Sequence, residues 1–292
     1  MKTCENILFF LTKKWKSEWD QGHPLIISAA GSEEHELEYA MLQLRKKIEH
    51  GIRINVYNKT VLEIGCGHGG ICVYAALNGS NNVIGIDLSD EALLTANKFK
   101  KAVELKTERK LDISFRKMTA EKLDFDDESI DIIIADNVFE HVSDLKIVLK
   151  ECNRVLKKGG NIVVPNFPSI YSKFGPHVKY GIKIPWVHIF FREQTIINVM
   201  KEIAKTNATM FEFYPGLKNN SGTFKDIRRY SDLNYITNKK FKNIANDEGF
   251  SLVDFVVTRP KLGWILMKIF PVLTRTKLDD IISIGTFAIL KK

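Results

Sequence analysis

The chain has few cysteines, few prolines and no long apolar run. Its four cysteines, among 292 residues, have neither metal-ligand spacing nor the pattern of a disulfide framework. A membrane-spanning helix needs about eighteen consecutive apolar residues, and no such run occurs. The first residues place Glu5 before a short apolar patch, which is not the pattern of a signal peptide. These absences favour a reduced, cytoplasmic protein.

Acidic residues are also outnumbered, and the formal net charge is +8. Such an excess favours acidic substrates, nucleic acid or an anionic membrane surface. The lysines are nevertheless scattered along exposed helix faces, and no basic domain with interleaved aromatic residues is present. We therefore predict no nucleic-acid partner.

Three glycines follow directly after the first apolar strand of the chain. A short apolar strand at Val61–Ile64 runs directly into Gly65, Gly67 and Gly69, and a helical apolar stretch follows at once. A strand that passes through glycines into a helix N-terminus brings bare backbone close to a ligand. On its own, however, this pattern also fits an ordinary tight turn.

A second apolar strand ends in an acid about twenty residues after the glycines, the usual spacing of a ribose-binding carboxylate. This strand is Val83–Asp87. The spacing of the two motifs predicts a nucleotide-binding βαβ unit and leaves the choice of nucleotide open.

Four motifs in order resemble class I S-adenosylmethionine-dependent methyltransferases, in the branch similar to methyltransferase domain 11. The resemblance is close over residues 55–165. The matching stretches are Glu63-x-Gly65-x-Gly67, Gly85-x-Asp87-Leu88-Ser89, Ala120–Phe125 with Ser129–Ile133, and Leu156–Gly160.

Apolar runs and turn residues predict alternating strands and helices, and hence a doubly wound α/β sheet. The predicted strands are residues 61–64, 82–87, 112–115, 130–135, 161–164, 250–257 and 281–290. The predicted helices are residues 69–77, 90–105, 144–155 and 231–248, with a further helix at 32–50 before the first strand. The resemblance implies a Rossmann-like sheet of seven strands with the last strand antiparallel.

The chain is predicted to divide into three parts. Residues 1–58 form an N-terminal helical cap, and residues 59–165 with 228–292 form the cofactor-binding domain. Residues 166–227 are rich in proline, glycine and aromatics near their start, and we predict an inserted substrate lid there. Loops at the carboxyl ends of parallel strands carry ligand chemistry in such folds.

The resemblance implies S-adenosyl-L-methionine as cofactor and assigns roles to the first loop. Glu63 would face the methionine amino group, and the backbone of Gly65, Cys66 and Gly67 would pass under the methionine and ribose. Gly69 would open the following helix. No base that could activate Cys66 is apparent, so we predict a packing role for this thiol.

The second strand would hold the nucleoside. Asp87 would accept both ribose hydroxyls, since a bidentate carboxylate suits a vicinal diol. Leu88 would press on the adenine. Thr119 and Ala120 stand where many relatives have Asp-Ala, so the bond to the adenine amino group is weaker or passes to Glu121.

The stretch after the fourth strand would border the methyl group. Asp136, Asn137 and Val138 are assigned to the cofactor site. His141 is a candidate general base, because histidine titrates near neutral pH.

The Glu140-His141 pair resembles ubiquinone-biosynthesis O-methyltransferases, which place a metal on Glu-x-x-Glu-His. Asn137 takes the first position of that motif here, so no metal is predicted. In the insert, His177 is a second candidate base, and His188 is another.

These features predict a methyltransferase that acts on a small molecule or on a glycan or lipid-linked intermediate, at oxygen. An RNA or protein methyltransferase and a silent cofactor-binding scaffold are the alternatives. Residues 261–277 interleave aromatic and aliphatic residues with lysine and arginine. This stretch is interpreted either as a short helix that covers the sheet or the lid, or as a peripheral membrane contact at the inner membrane face. The oligomeric state cannot be predicted.

Overall fold

A computed structural model describes residues 3–14, 55–173, 175, 182, 184–206, 233–270 and 276–292. The helix predicted at 32–50 and the candidate base His177 lie outside these residues. None of the described helices combines the length and apolarity needed to cross a membrane.

The described elements alternate between strand and helix over the middle of the chain. The strands are β1 (Thr60–Ile64), β2 (Asn82–Asp87), β3 (Ile113–Lys117), β4 (Ile130–Ala135), β5 (Leu156–Phe167), β6 (Ser251–Thr258) and β7 (Gly285–Lys291). The helices are α1 (Thr3–Lys14), α2 (Gly70–Leu77), α3 (Asp90–Thr107), α4 (Leu145–Val155), α5 (Val187–Phe190), α6 (Glu193–Thr206), α7 (Asn238–Asp247), α8 (Lys261–Ile269) and α9 (Lys277–Ile281).

The strands form one seven-stranded sheet in the order β3-β2-β1-β4-β5-β7-β6. β1 pairs in parallel with β2 and β4, β2 pairs in parallel with β3, and β4 pairs in parallel with β5. β7 runs antiparallel to β5. The predicted α/β sheet of seven strands with an antiparallel last strand is therefore confirmed.

Two compact units account for the described residues. One contains α1, α5, α6, α8 and α9 with residues 168–173 and 233–237, and its apolar cluster joins α1, α5 and α6 through Leu8, Val187 and Ile196. The other contains the sheet with α2, α3, α4 and α7. Its central parallel strands β1, β2 and β4 are buried on both faces, as expected of a sheet covered by helices, whereas the edge strand β3 is partly exposed.

The boundaries of the elements up to β4 were predicted well, and those of the elements after α4 were predicted poorly. The ends predicted for β2 and β4 are confirmed. Ser89 caps α3 by accepting a hydrogen bond from the amide of Ala92. Asp144, predicted inside a helix, is instead the N-cap of α4.

Predicted boundaries after β4 were wrong at β5, at α7 and at the last strand. β5 begins at Leu156 instead of Asn161, because its pairing with β4 shifts register between Ile130 and Ile132 and takes residues 157–160 into the strand. α7 begins seven residues later than predicted, after Tyr235, which has a left-handed backbone. The last strand begins only at Gly285, since α9 takes up the start of the segment predicted as strand.

Candidate functional site

The loop after β1 is bound to the end of β2 through one carboxylate. Gly67 donates its amide to Asp87 Oδ2 over 2.9 Å. The other oxygen, Oδ1, accepts the amide of Ser89 over 2.9 Å. Each carboxylate oxygen has two lone pairs, so Asp87 keeps acceptor capacity for a ligand after both bonds are made. Leu88, next in the chain, is exposed.

Gly67 faces open space. A Cβ at this position would meet no atom within 4 Å, and the residue has a φ of +50°. The backbone is therefore accessible on the side where a side chain would stand. This is the arrangement needed where a ligand lies directly on the main chain.

Glu63 is buried and held by the helix that follows the loop. Its Oε2 accepts the amide of Cys72 over 2.9 Å and the thiol of Cys72 over 3.0 Å. A carboxylate at this helix N-terminus is stabilised by the helix dipole. Cys72 was not identified as a site residue from the sequence.

The thiols near the loop are not activated. Burial, followed by the nearby carboxylate of Glu63, raises the pKa of both Cys66 and Cys72 above the usual range of a thiol. The thiolate is the nucleophilic form. The packing role predicted for Cys66 agrees with this environment.

A second carboxylate is fixed after β3. Glu121 Oε1 accepts the amide of Ser143 over 3.2 Å and its hydroxyl over 2.8 Å, and the hydroxyl of Thr119 donates to Oε2. This turn begins beside β2, since the amide of Met118 donates to the carbonyl of Asp87 over 3.2 Å. Ala120, between the two polar residues, is buried.

These bonds determine the charge state of Glu121. Partial burial acts to raise the pKa of its carboxyl, but the hydrogen bonds from Thr119 and Ser143 outweigh it and lower the pKa below the ordinary 4.5. Because the folded-state pKa is lowered, the charged form stabilises the fold at pH values above 4.5. That contribution is lost as the pH falls through the folded-state pKa.

We therefore expect the difference in free energy of unfolding between the wild type and Glu121→Gln to be largest near neutral pH. It should shrink as the pH is lowered from 4.5. Urea unfolding at a series of pH values measures this difference. Ser143→Ala, which removes one of the bonds, should weaken the pH dependence. A difference that stays constant with pH would contradict this account of Glu121.

The residues after β4 are organised by β5. Asn137 has a left-handed φ of 54°, its amide donates to the carbonyl of Asn166 over 2.8 Å, and the side-chain amide of Asn166 donates to Asn137 Oδ1 over 2.7 Å. Asp136 Oδ1 accepts from the Asn137 side chain over 3.2 Å. The sequence analysis also missed Asn166, since this residue lies beyond the predicted end of that strand.

The loops after β1 and β4 touch at Gly65. A Cβ at this glycine would lie 2.5 Å from Cγ2 of Val138, so only glycine fits there. Together with the Asp87 bond to Gly67, this contact brings the ends of β1, β2 and β4 to one place. The predicted cofactor residues of these three strands are thus neighbours.

The candidate bases are placed differently. His141 is partly exposed, with Nε2 at 3.9 Å from Oε1 of the buried Glu140. His188 lies in the other unit, where burial lowers its pKa to about 4 and the backbone of Tyr171 only partly offsets this. Among the described residues, no cluster of three or more histidine, cysteine, aspartate or glutamate side chains could hold a metal ion.

Known proteins match part of the chain. Residues 62–164 match the family described as "Methyltransferase domain". The Ubiquinone biosynthesis O-methyltransferases of Pseudomonas fluorescens (strain SBW25) and Pseudomonas putida (strain W619) are each 32% identical over 111 residues, which are 38% of this chain and 45% of theirs. The chain thus spans less than half the length of these curated relatives.

Solved structures agree on the fold. A putative S-adenosylmethionine-dependent methyltransferase from Listeria monocytogenes aligns with a TM-score of 0.50 and 14% identity over 87% of this chain and 97% of its own. Geranyl diphosphate methyltransferase in complex with SAM aligns with a TM-score of 0.50 and 14% identity over 86% and 84%.

The sheet and its glycine loop are those of a Rossmann-like methyltransferase fold. More particularly, residues 62–164 match the model of the family described as Methyltransferase domain. The predicted resemblance to methyltransferases is confirmed over these residues.

Proposed function

We propose that the chain transfers a methyl group from S-adenosyl-L-methionine to an oxygen of a small molecule or of a glycan or lipid-linked intermediate. The observation that carries this proposal is the pairing of Asp87 with Gly67. A carboxylate with spare lone pairs stands beside open, accessible backbone. The names of the Pseudomonas relatives, which are O-methyltransferases, support oxygen as the acceptor atom.

The residues present fit the cofactor. Asp87 would accept the ribose hydroxyls, with both of its oxygens already oriented by backbone amides. The main chain at Gly67 would pass under the ligand. Glu121, held as a carboxylate, would accept a hydrogen bond from the adenine amino group. It would thus replace the aspartate that many relatives have at the position of Thr119.

The remaining roles follow from the loop ends. Glu63 would act on the methionine amino group from its buried position at the start of α2, and Asp136, Asn137 and Val138 would border the cofactor at the end of β4. Leu88 is exposed beside Asp87 and free to cover the adenine.

The cofactor supplies a methyl group on a sulfonium centre, whose sulfur leaves as a neutral thioether when the acceptor takes the methyl. The chain must therefore align the acceptor in line with the methyl carbon and remove one proton from the acceptor hydroxyl. His141 is our proposed base, because a partly exposed imidazole beside a carboxylate can take up that proton.

Two alternatives make different predictions. An RNA or protein methyltransferase would methylate a polymer, and a silent scaffold would bind the cofactor without turnover.

The predicted division of the chain and its location also remain proposals. These are the cap at 1–58, the cofactor domain at 59–165 and 228–292, the lid at 166–227 and a cytoplasmic location.

The proposed function is tested by release of S-adenosylhomocysteine. The purified chain is incubated with S-adenosylmethionine and separate panels of catechols and phenols, glycans, hydroxylated lipids, tRNA and a protein extract. Turnover with the first three panels supports the proposal. Turnover only with tRNA or protein would favour the polymer alternative, and cofactor binding without any turnover would favour the scaffold.

For an acceptor found in this way, we expect His141→Ala to lower kcat about 100-fold or more, the usual contribution of a general base. The dissociation constant for S-adenosylhomocysteine should stay within about twofold, because no role in cofactor binding is assigned to this imidazole. His177→Ala is the matched comparison. Loss of turnover with His177→Ala alone would mean that His177, in the insert, is the base.

A further inference from the structure

One face of helix α8 is exposed on the surface of the unit to which the helix belongs. Ile265 and Ile269, one turn apart, are 55% and 62% exposed, and Lys261 and Lys268 are exposed as well. Residues at spacings of three, four and seven lie along the same side of an α-helix. These four residues therefore form a single outward face, with the isoleucines on one flank and the lysines on the other.

The opposite side of α8 is anchored. Met267 is buried, and Gly263 is buried one turn before it. A Cβ at Gly263 would lie 3.3 Å from Cβ of Arg259 and 3.4 Å from Cδ1 of Ile282. The helix is thus packed on its own unit through one face, and this packing fixes the orientation of the outward face.

The composition of α8 favours a lipid surface. The helix contains no acidic residue, and Phe270, directly after it, is 52% exposed. Amphipathic helices that lie in the plane of a membrane combine bulky apolar residues with lysines beside them. Lysines near an anionic leaflet are attracted to it, and the chain as a whole carries a net charge of +8.

We propose that α8 docks the protein on an anionic membrane surface. Ile265, Ile269 and Phe270 would enter the interface, while Lys261 and Lys268 would contact lipid phosphates or carboxylates. This docking is independent of methyl transfer, because it requires neither the cofactor nor an acceptor. It would place the enzyme where lipid-linked acceptors reside.

Co-sedimentation of the full-length protein with vesicles tests the proposal. The vesicles are pure phosphatidylcholine, or phosphatidylcholine with about 30% phosphatidylglycerol, a fraction at which surface charge attracts basic segments. We expect binding to the anionic vesicles only, with a marked loss at high salt. Lys261→Glu/Lys268→Glu should weaken this binding about tenfold or more, and Ile265→Ser/Ile269→Ser should do the same.

Matched variants on α3 control for net charge and surface apolarity. Lys98→Glu/Lys101→Glu changes the charge equally on another exposed helix, and Leu94→Ser removes a leucine that is 59% exposed. Both should bind vesicles like the wild type. Absence of wild-type binding, or equal loss with the α3 variants, would overturn the proposal. A wild-type dimer that becomes monomeric in Ile265→Ser/Ile269→Ser without lipid would also overturn it, by assigning the face to a second copy of the chain.

Discussion

Replacement of Asp87 by alanine is expected to weaken cofactor binding severely. The carboxylate would make two hydrogen bonds to the ribose, and bonds to a charged group are worth about 1.5–3 kcal/mol each. Their loss corresponds to a dissociation constant raised about 100-fold or more. Calorimetric titration with S-adenosylhomocysteine measures the change. The fold should persist, because the amides of Gly67 and Ser89 released by the substitution lie in partly or fully exposed segments.

Two variants separate binding from loop structure. Asp90→Ala removes a neighbouring carboxylate whose only role shown here is an exposed ion pair with Lys117, and it should bind like the wild type. Asp87→Asn keeps one acceptor oxygen of the same shape and should lose less affinity than Asp87→Ala. Wild-type affinity in Asp87→Ala would remove the ribose role and, with it, the main support for the proposed cofactor site.

The sequence predicted the contacts of the site best where both residues belong to one βαβ unit. Asp87 follows the glycines in one βαβ unit, and local spacing alone placed these two features together. The bond between Gly67 and Asp87 joins residues twenty apart, and the helix between their strands is short. In such a unit, apolar patterning determines the register, and register determines which residues meet.

The partners that escaped prediction come from elsewhere in the chain. Ser143 reaches Glu121 across twenty-two positions and Asn166 reaches Asn137 across twenty-nine. Neither serine nor asparagine in a loop carries a local pattern that predicts its partner. The contact between Asn137 and Asn166 depends on strand order, because the ends of the neighbouring strands β4 and β5 meet only once the sheet has formed.

The wrong boundaries have a similar origin. Residues 231–237 carry no helix-breaking proline or glycine, yet Ile170 donates its amide to the carbonyl of Ile236, and the hydroxyl of Tyr235 donates to Glu193 over 2.7 Å. These two hydrogen bonds hold Tyr235 and Ile236 in a non-helical conformation. Tertiary contacts therefore override the local helical preference before Asn238.

Gly69→Ala is expected to lose more stability than Gly67→Ala, and Gly67→Ala is expected to lose more cofactor affinity, which makes the pair the sharpest test of the loop. Both residues have positive φ, +50° and +76°, so an alanine costs about 1–2 kcal/mol at either position. At Gly69, the new Cβ would also lie 2.7 Å from Cζ of Phe115 and 3.0 Å from Cβ of Ala96. Overpacking of this kind costs about 1–3 kcal/mol more. At Gly67, nothing lies within 4 Å.

The free energy of unfolding should therefore fall by about 2–5 kcal/mol in Gly69→Ala and by only about 1–2 kcal/mol in Gly67→Ala. Cofactor affinity, by contrast, should be lower in Gly67→Ala than in Gly69→Ala. The methyl group of Gly67→Ala would occupy the space that the ligand needs, and the dissociation constant for S-adenosylhomocysteine should rise about tenfold or more. Urea unfolding and calorimetric titration of both variants measure the two effects. If Gly67→Ala binds like the wild type, the open side of this glycine is not where the cofactor lies, and the carboxylate of Asp87 would have to be reached from another direction.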